Sequence, residues 1–371
     1  VELIPGTDPS SAALRAIRDC VRAADVDHVR LRLHGGDTKA FHGEPVNGEP
    51  LDLRPYCGIV DYEPTELVVT ARCGTPLAEL EAALAERQQF LPFEPPHFGL
   101  GATVGGMVAA GLSGPRRATA GAVRDYVLGA VLMSAGGDLL HFGGRVMKNV
   151  AGYDASRLLA GSLGILGPIV QVSLKVLPLP PAEATLCLER GLRDALLLMN
   201  TWGGQPLPVS ASAWIDGRLW LRLSGARAAV QAARARLAAE HGAIEIDAPE
   251  ATSQWTALRE QTDPFFDGDE PLWRLSLPST APLFELPGGR QLVEWGGALR
   301  WFRTAADPAM VPLVRQAAAT LGGTAMLFRS RHRIAPVFDT LPAPLLELHR
   351  RIKHEFDPRG IFNPGRLVPG L

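Results

Sequence analysis

Apolar and polar residues alternate along Val29-Arg30-Leu31-Arg32-Leu33, a period of two that predicts a half-buried strand ending at His34-Gly35-Gly36. A second β-type run, Glu66-Leu67-Val68-Val69-Thr70-Ala71, leads to Gly74-Thr75-Pro76, after which Leu77, Leu80 and Leu84 fall at helical spacing. Proline in the first turn and one apolar stripe predict a helix there. Ile169 to Val176 reads as another strand. Pro178-Leu179-Pro180-Pro181 can continue neither a helix nor a central strand and predicts a boundary.

Beyond that boundary the pattern changes. Residues 184–188 read as a strand and 191–201 as a helix; 210–216 and 218–223 read as a hairpin around Asp216-Gly217, and 226–240 as an Ala/Arg-rich helix. Further strands and a helix span 272–328, and a tail helix from Leu345 to Phe356 stops at Asp357-Pro358-Arg359-Gly360. Helices interleaved with antiparallel strands predict an α+β cap of ferredoxin-like kind. The expected division is 1–180, 181–335 and a tail at 336–371.

A chain of 371 residues with 46% hydrophobic content can bury two cores. With a net charge of -2 and no basic block, it offers no surface suited to nucleic acid. Cys20, Cys57, Cys73 and Cys187 are scattered without a C-x-x-C pair, so no metal site or iron–sulfur cluster is expected within the chain. The lack of an apolar span and of a leader pattern predicts a cytoplasmic protein that meets a membrane only through partners.

Glycine carries the chemistry. Gly35-Gly36-Asp37-Thr38 follows the early strand, and Gly99-Leu100-Gly101-Ala102-Thr103-Val104-Gly105-Gly106 lies further on. Gly161-Ser162-Leu163-Gly164 precedes the strand that begins at Ile169. Residues without a Cβ let the backbone approach a ligand, and successive amides then face an anion such as a pyrophosphate. Tight turns without a ligand explain one such cluster; several clusters beside strands point to a bound dinucleotide. The nicotinamide fingerprint G-x-G-x-x-G is missed, since Gly99, Gly101 and Gly105 give G-x-G-x-x-x-G in mid-domain.

Taken with Leu112-Ser113-Gly114-Pro115-Arg116-Arg117, Gly144-Arg145-Val146-Met147-Lys148-Asn149-Val150-Ala151-Gly152-Tyr153-Asp154 and Phe362-Asn363-Pro364-Gly365-Arg366, these loops resemble the FAD-binding domain of the vanillyl-alcohol oxidase and p-cresol methylhydroxylase superfamily. Within it the chain is most similar to the FAD-binding subunits of bacterial glycolate oxidases. The resemblance implies a two-subdomain FAD-binding domain of the p-cresol methylhydroxylase type, with a tail that returns to it. It places the pyrophosphate at Gly35, Gly36, Asp37 and Thr38, and the flavin and ribityl chain at Gly101, Thr103, Gly105, Gly106 and Ser113. Gly114, Arg124 and Asp125 extend that lining, Gly161, Ser162, Gly164 and Ile169 hold the adenine side, and Asn363 reaches the flavin.

Some members of that superfamily join flavin to a histidine just after the first glycine pair. Asp37 stands there, so FAD is expected to be held non-covalently. Catalytic members also carry Glu-His-Gly late in the cap, whereas Gly322-Gly323-Thr324-Ala325-Met326-Leu327-Phe328-Arg329 has no histidine. Oxidising a 2-hydroxy acid needs a base near the carbinol and a cation for the carboxylate. Candidate cations are Lys148, Arg274 and Arg300, the last two reading equally well as solvent-facing strand residues; candidate bases are His97, Tyr153 and His349. Lys148 and Tyr153, among glycines, are the preferred pair. The expectation is a glycolate oxidase or dehydrogenase subunit working with a second flavoprotein subunit and an iron–sulfur subunit. The alternatives are an autonomous FAD-dependent 2-hydroxyacid dehydrogenase, for example acting on D-lactate, and a structural subunit with an empty flavin pocket.

Overall fold

The computed structural model describes residues 11–144 and 155–371. The chain forms two compact units. The first takes the chain up to Leu112, Ala122–Leu179 and Thr340–Leu371; the second takes Ser113–Gly121 and Pro180–Asp339.

In the first unit, α1 (Ala12–Asp27) buries Leu14, Ile17, Val21 and Ala24, one stripe of an amphipathic helix, and stops at left-handed His28. A parallel pair follows, β1 (Leu31–His34) and β2 (Glu49–Asp52). Next come β3 (Ile59–Glu63), β4 (Val68–Arg72), α2 (Leu77–Ala85), β5 (Gln89–Phe90) and α3 (Val104–Ala110). The Thr103 hydroxyl caps α3 by accepting a hydrogen bond from the Gly106 amide. The chain then contributes α4 (Arg117–Ala120) to the second unit and returns with α5 (Val123–Tyr126), β6 (Val127–Met133), β7 (Leu139–Gly143), β8 (Ile169–Lys175) and β9 (Leu177–Pro178).

A five-stranded antiparallel sheet in the order β3-β4-β8-β6-β7 lies at the centre. Its central strands β4, β8 and β6 are buried on both faces, and alternate residues of β6 enter different cores. Ala130 and Leu132 pack with Leu77, Leu80 and Leu84 of α2 and Val104 and Val108 of α3. Val131 and Met133 pack with Leu14, Ile17 and Val21 of α1 and with Leu31 and Leu51.

The second unit is one eight-stranded antiparallel sheet. Its elements are β10 (Ala182–Glu189), α6 (Leu192–Gly203), β11 (Val209–Ile215), β12 (Arg218–Gly225), α7 (Arg227–His241), β13 (Ile244–Ile246), α8 (Ala248–Glu260), β14 (Leu272–Ser276), β15 (Arg290–Glu294), β16 (Leu299–Arg303), α9 (Met310–Thr320) and β17 (Thr324–Arg329). The strand order is β13-β10-β12-β11-β15-β16-β14-β17. Each half repeats one plan, in which its fourth, first, third and second strands lie side by side. The halves meet where Ala213 and Trp214 pair with Glu294 and Val293. Asp216 and Gly217, both left-handed, turn the β11–β12 hairpin where the sequence places it.

The last helix, α10 (Ala343–Phe356), belongs to the first unit, where Leu31 pairs with Phe362 and the amide of Leu31 donates to Ile361 O. No helix among the described residues is long and apolar enough to cross a membrane.

Candidate functional site

Four chain segments of the first unit converge on a groove: the end of β1 with the loop after it, the start of α3, the turn before β8, and the tail. Leu33, His34, Gly35, Gly36, Asp37, Thr38 and Lys39 line one side; Thr103, Gly105, Gly106, Ala109, Leu163, Gly164, Ile169, Asn363 and Arg366 supply the rest.

The loop after β1 can sit this close to α3 only because Gly36 has no side chain. A Cβ there would lie 1.5 Å from Gly101 O, backbone against backbone. Asp37 follows in the left-handed region at φ 54°. Its carboxylate pairs with Arg32 at 3.1 Å and lies 3.6 Å from His34 Nδ1. Among the described residues, the amides of Gly35, Gly36, Asp37 and Thr38 find no acceptor within the chain. Four neighbouring amides with nothing to donate to form a cradle for an anion. The Arg32 guanidinium offsets the one carboxylate beside it. Lys39, whose ammonium donates to His97 O at 3.1 Å, adds a positive group on the groove wall.

Asn363 closes the groove from the far end of the sequence. Its Oδ1 accepts from the Leu33 amide at 2.8 Å and its Nδ2 donates to Leu163 O at 2.7 Å. Arg366 donates to Ala40 O and His42 O at 3.0 and 2.8 Å, tying the tail to the loop after β1. Cys73 forms part of the floor, and burial pushes its thiol pKa far above the usual range.

Of the site residues expected from sequence, Gly35, Gly36, Asp37, Thr38, Thr103, Gly105, Gly106, Gly164, Ile169 and Asn363 meet here. Gly101 backs Gly36, and Gly161 packs its backbone on α3, donating from its amide to Val108 O. The Ser162 hydroxyl is spent on Leu159 O at 2.8 Å, inside its own turn. Those three stand behind the groove lining, and four more are not brought to it. Ser113 and Gly114 belong to the second unit, where Gly114 O accepts from the Trp295 indole at 3.0 Å. Arg124 is exposed, and the Asp125 carboxylate accepts from the Ala122 amide at 2.8 Å to start α5. Lys148 and Tyr153 lie outside the described residues.

The other candidates also resolve. His97 pairs with Glu81 at 2.9 Å, and His349 sits half-buried on α10 with Nδ1 at 2.8 Å from Leu345 O. Arg300 is fully buried rather than solvent-facing, and donates to the carbonyls of Gly297, Pro282 and Ala281. Arg274 is partly buried. Lys39, Cys73, Ala109, Leu163 and Arg366 were missed as groove residues; the available signal was a basic residue directly after Thr38 and another three positions after Asn363.

A nucleotide with a diphosphate and a flat ring fits this donor set: unspent amides over the loop after β1, a hydroxyl at the start of α3, and apolar walls at Leu33, Ala109 and Ile169. Residues 12–143 match a family model described as an FAD binding domain. The chain is 47% identical over 357 residues to glycolate oxidase subunit GlcE of Escherichia coli (strain K12), covering 96% of this chain and 98% of that one. The chain belongs to the GlcE family of glycolate oxidase subunits.

This GlcE-family chain is also 33% identical over 128 residues to glycolate oxidase subunit GlcD of Bacillus subtilis (strain 168), across 34% of its own length and 27% of the relative's. A solved structure of alkyldihydroxyacetonephosphate synthase superposes with a TM-score of 0.67 at 15% identity, covering 97% of this chain and 76% of that one. At that identity the likeness concerns the fold, which is a related two-domain α+β arrangement.

Proposed function

We propose that this chain is the FAD-binding subunit of a glycolate oxidase-type complex that converts glycolate to glyoxylate. The reading is carried by one observation: unspent amides at Gly35–Thr38 face a glycine-lined groove in a chain that matches a GlcE subunit over nearly its whole length. We assign the pyrophosphate to those amides and to Thr38, and the ring-bearing half to the stretch bounded by Thr103, Gly105, Gly106, Gly164 and Ile169. Bound FAD supplies two-electron, hydride-accepting chemistry. The protein's part is to hold it without a covalent bond, Asp37 standing where an attaching histidine would be. Asn363 positions Leu33 and Leu163 around the ligand.

The finer assignments follow from the same reading. The second unit is a cap made of two ferredoxin-like halves, supported by its repeated strand order. The partners are a second flavoprotein subunit, to which we assign the oxidation of glycolate, and an iron–sulfur subunit that receives electrons. The scattered cysteines of this chain agree with an external cluster.

Purified chain is expected to be yellow and to release all its flavin into the supernatant on acid precipitation. Dye-coupled glycolate oxidation is expected only after its partner subunits are added. Colourless protein that takes up no added FAD would overturn the cofactor assignment. Full glycolate or D-lactate turnover by the isolated chain would favour an autonomous dehydrogenase.

A further inference from the structure

We infer that Arg274, with Arg117 against the same indole of Trp295, forms an anion site within the second unit whose ligand is a small carboxylate of the 2-hydroxy or 2-oxo acid class. The carboxylate chemistry stands on the geometry below; the choice among carboxylates rests on the function proposed above.

Arg274 interrupts an apolar row. Across β15, β16, β14 and β17 the paired residues are Leu292, Trp301, Arg274 and Met326. The alternate residues, Trp273, Leu275, Phe302 and Leu327, pack with Val314 and Ala318 of α9, so Arg274 occupies the opposite face. Its guanidinium makes no hydrogen bond and no ion pair among the described residues. Its neighbours are aromatic rings, with Trp295 centred 5.3 Å away and Trp301 6.0 Å away.

Other arginines of this unit are treated differently. Arg300 is satisfied by carbonyls, Arg303 by Glu270 and the carbonyl of Phe265, and Arg116 by Glu183 at 2.8 Å. A guanidinium has five N–H donors, and those of partly buried Arg274 meet no acceptor among the described residues. Burial, with nearby Arg117, lowers its pKa to about 10. Glu294 opposes the shift, yet its carboxylate already accepts from the Trp301 indole at 2.8 Å. A free anion is the missing partner.

The surroundings are fixed in advance. Arg117 lies 4.4 Å from the centre of the Trp295 ring. Trp295 has φ 55° and is followed by Gly296 and Gly297, also left-handed, a strained run for a bulky residue. Its indole nitrogen is anchored on Gly114 O, in the segment that carries Arg117. Two aromatic walls and a planar fork match a planar, bidentate carboxylate.

The test uses the purified full chain, titrated with glycolate, glyoxylate and oxalate at constant ionic strength, against uncharged ethylene glycol. Thermal melting and tryptophan fluorescence report binding, while visible absorbance of the same samples reports flavin separately. The expected result is a melting temperature raised by the acids and not by ethylene glycol, with affinity reduced roughly tenfold or more in Arg274→Met. Without ligand, Arg274→Met is expected to melt no lower than wild type, because it removes an unpaired charge. Absence of an anion response in wild type, an equal response in Arg274→Met, or a ligand-free Arg274→Met that melts below wild type would each overturn the site. Yellow protein without an anion response removes this inference alone; an anion response in protein that takes up no FAD removes the cofactor assignment alone.

Discussion

The side chain of Asn363 accepts a hydrogen bond from the backbone amide of Leu33, 330 positions earlier, at 2.8 Å. The same carboxamide donates to Leu163 O, so one residue spans β1, the turn before β8 and the tail. Asn363 is 3% exposed and sits at φ 41°, a conformation asparagine tolerates better than most residues. Asn363→Ala leaves two backbone groups unmet and is expected to cost about 2–4 kcal/mol. Urea denaturation followed by far-ultraviolet circular dichroism should show an earlier midpoint, together with lower flavin content. An unchanged midpoint would refute the bridging role.

Gly36→Ala puts a methyl group against Gly101 O at 1.5 Å, so the loop after β1 must withdraw. The expected protein is folded but pale, with its flavin affinity lowered. Gly203→Ala is the control: it sits at the last residue of α6 with nothing within 4 Å of the added carbon, and should keep its colour. Equal flavin content in the two variants would contradict the close-approach argument.

The Cys73 thiol gives a pH signature. Its folded pKa is raised by burial, while the unfolded thiol ionises near its ordinary value of 9.0. Below that value both states keep the proton and the contribution to stability is complete. Above it only the unfolded chain loses the proton, so stability falls as pH rises, by up to about 1.4 kcal/mol per unit for this group. Cys73→Ala should flatten part of the decline measured by urea titrations between about pH 9 and 10.5. Exposed Cys20 and Cys57 should also react with iodoacetamide long before Cys73 does.

Lys353 and Asp357 form a buried pair at 2.6 Å. The ammonium also donates to Ile165 O and Phe362 O, and the carboxylate accepts from the amides of Ile361 and Phe362. Lys353→Met leaves that carboxylate buried without its cation, at an expected cost of about 3–5 kcal/mol. The check is a denaturation midpoint. A shift no larger than that of a surface change such as Arg351→Ala would show the pair to be dispensable.

Local patterns carried much of the fold. The stripe Leu77, Leu80 and Leu84, the Asp216-Gly217 turn and the alternation before His34 each report a contact made within a few residues. Helix α1 is equally legible, since Leu14, Ile17, Val21 and Ala24 recur at helical spacing. The doubled sheet of the second unit was not legible. It depends on β11 meeting β15, whose pairing of Ala213 with Glu294 leaves no mark in either strand. The glycine loops announced an anion cradle, because only the smallest residue permits such approaches. The basic residues around it, Lys39 and Arg366, are aimed by long-range contacts that spacing cannot show. The same holds for Gly114, whose carbonyl faces an indole 181 positions away.

The first unit is threaded from three stretches of chain, the last beginning at Thr340. During synthesis, then, the stretches up to Asp339 must emerge before Lys353, Phe362 and Asn363 can complete the groove. The uninterrupted stretch from Pro180 to Asp339 can collapse earlier, while the nucleotide unit waits half-built with its sheet lacking its last supports. A chain cut after Asp339 should therefore keep a sound second unit and a cofactor site that never closes. Folding of the cofactor site thus waits on residues 340–371, far from the loops they brace.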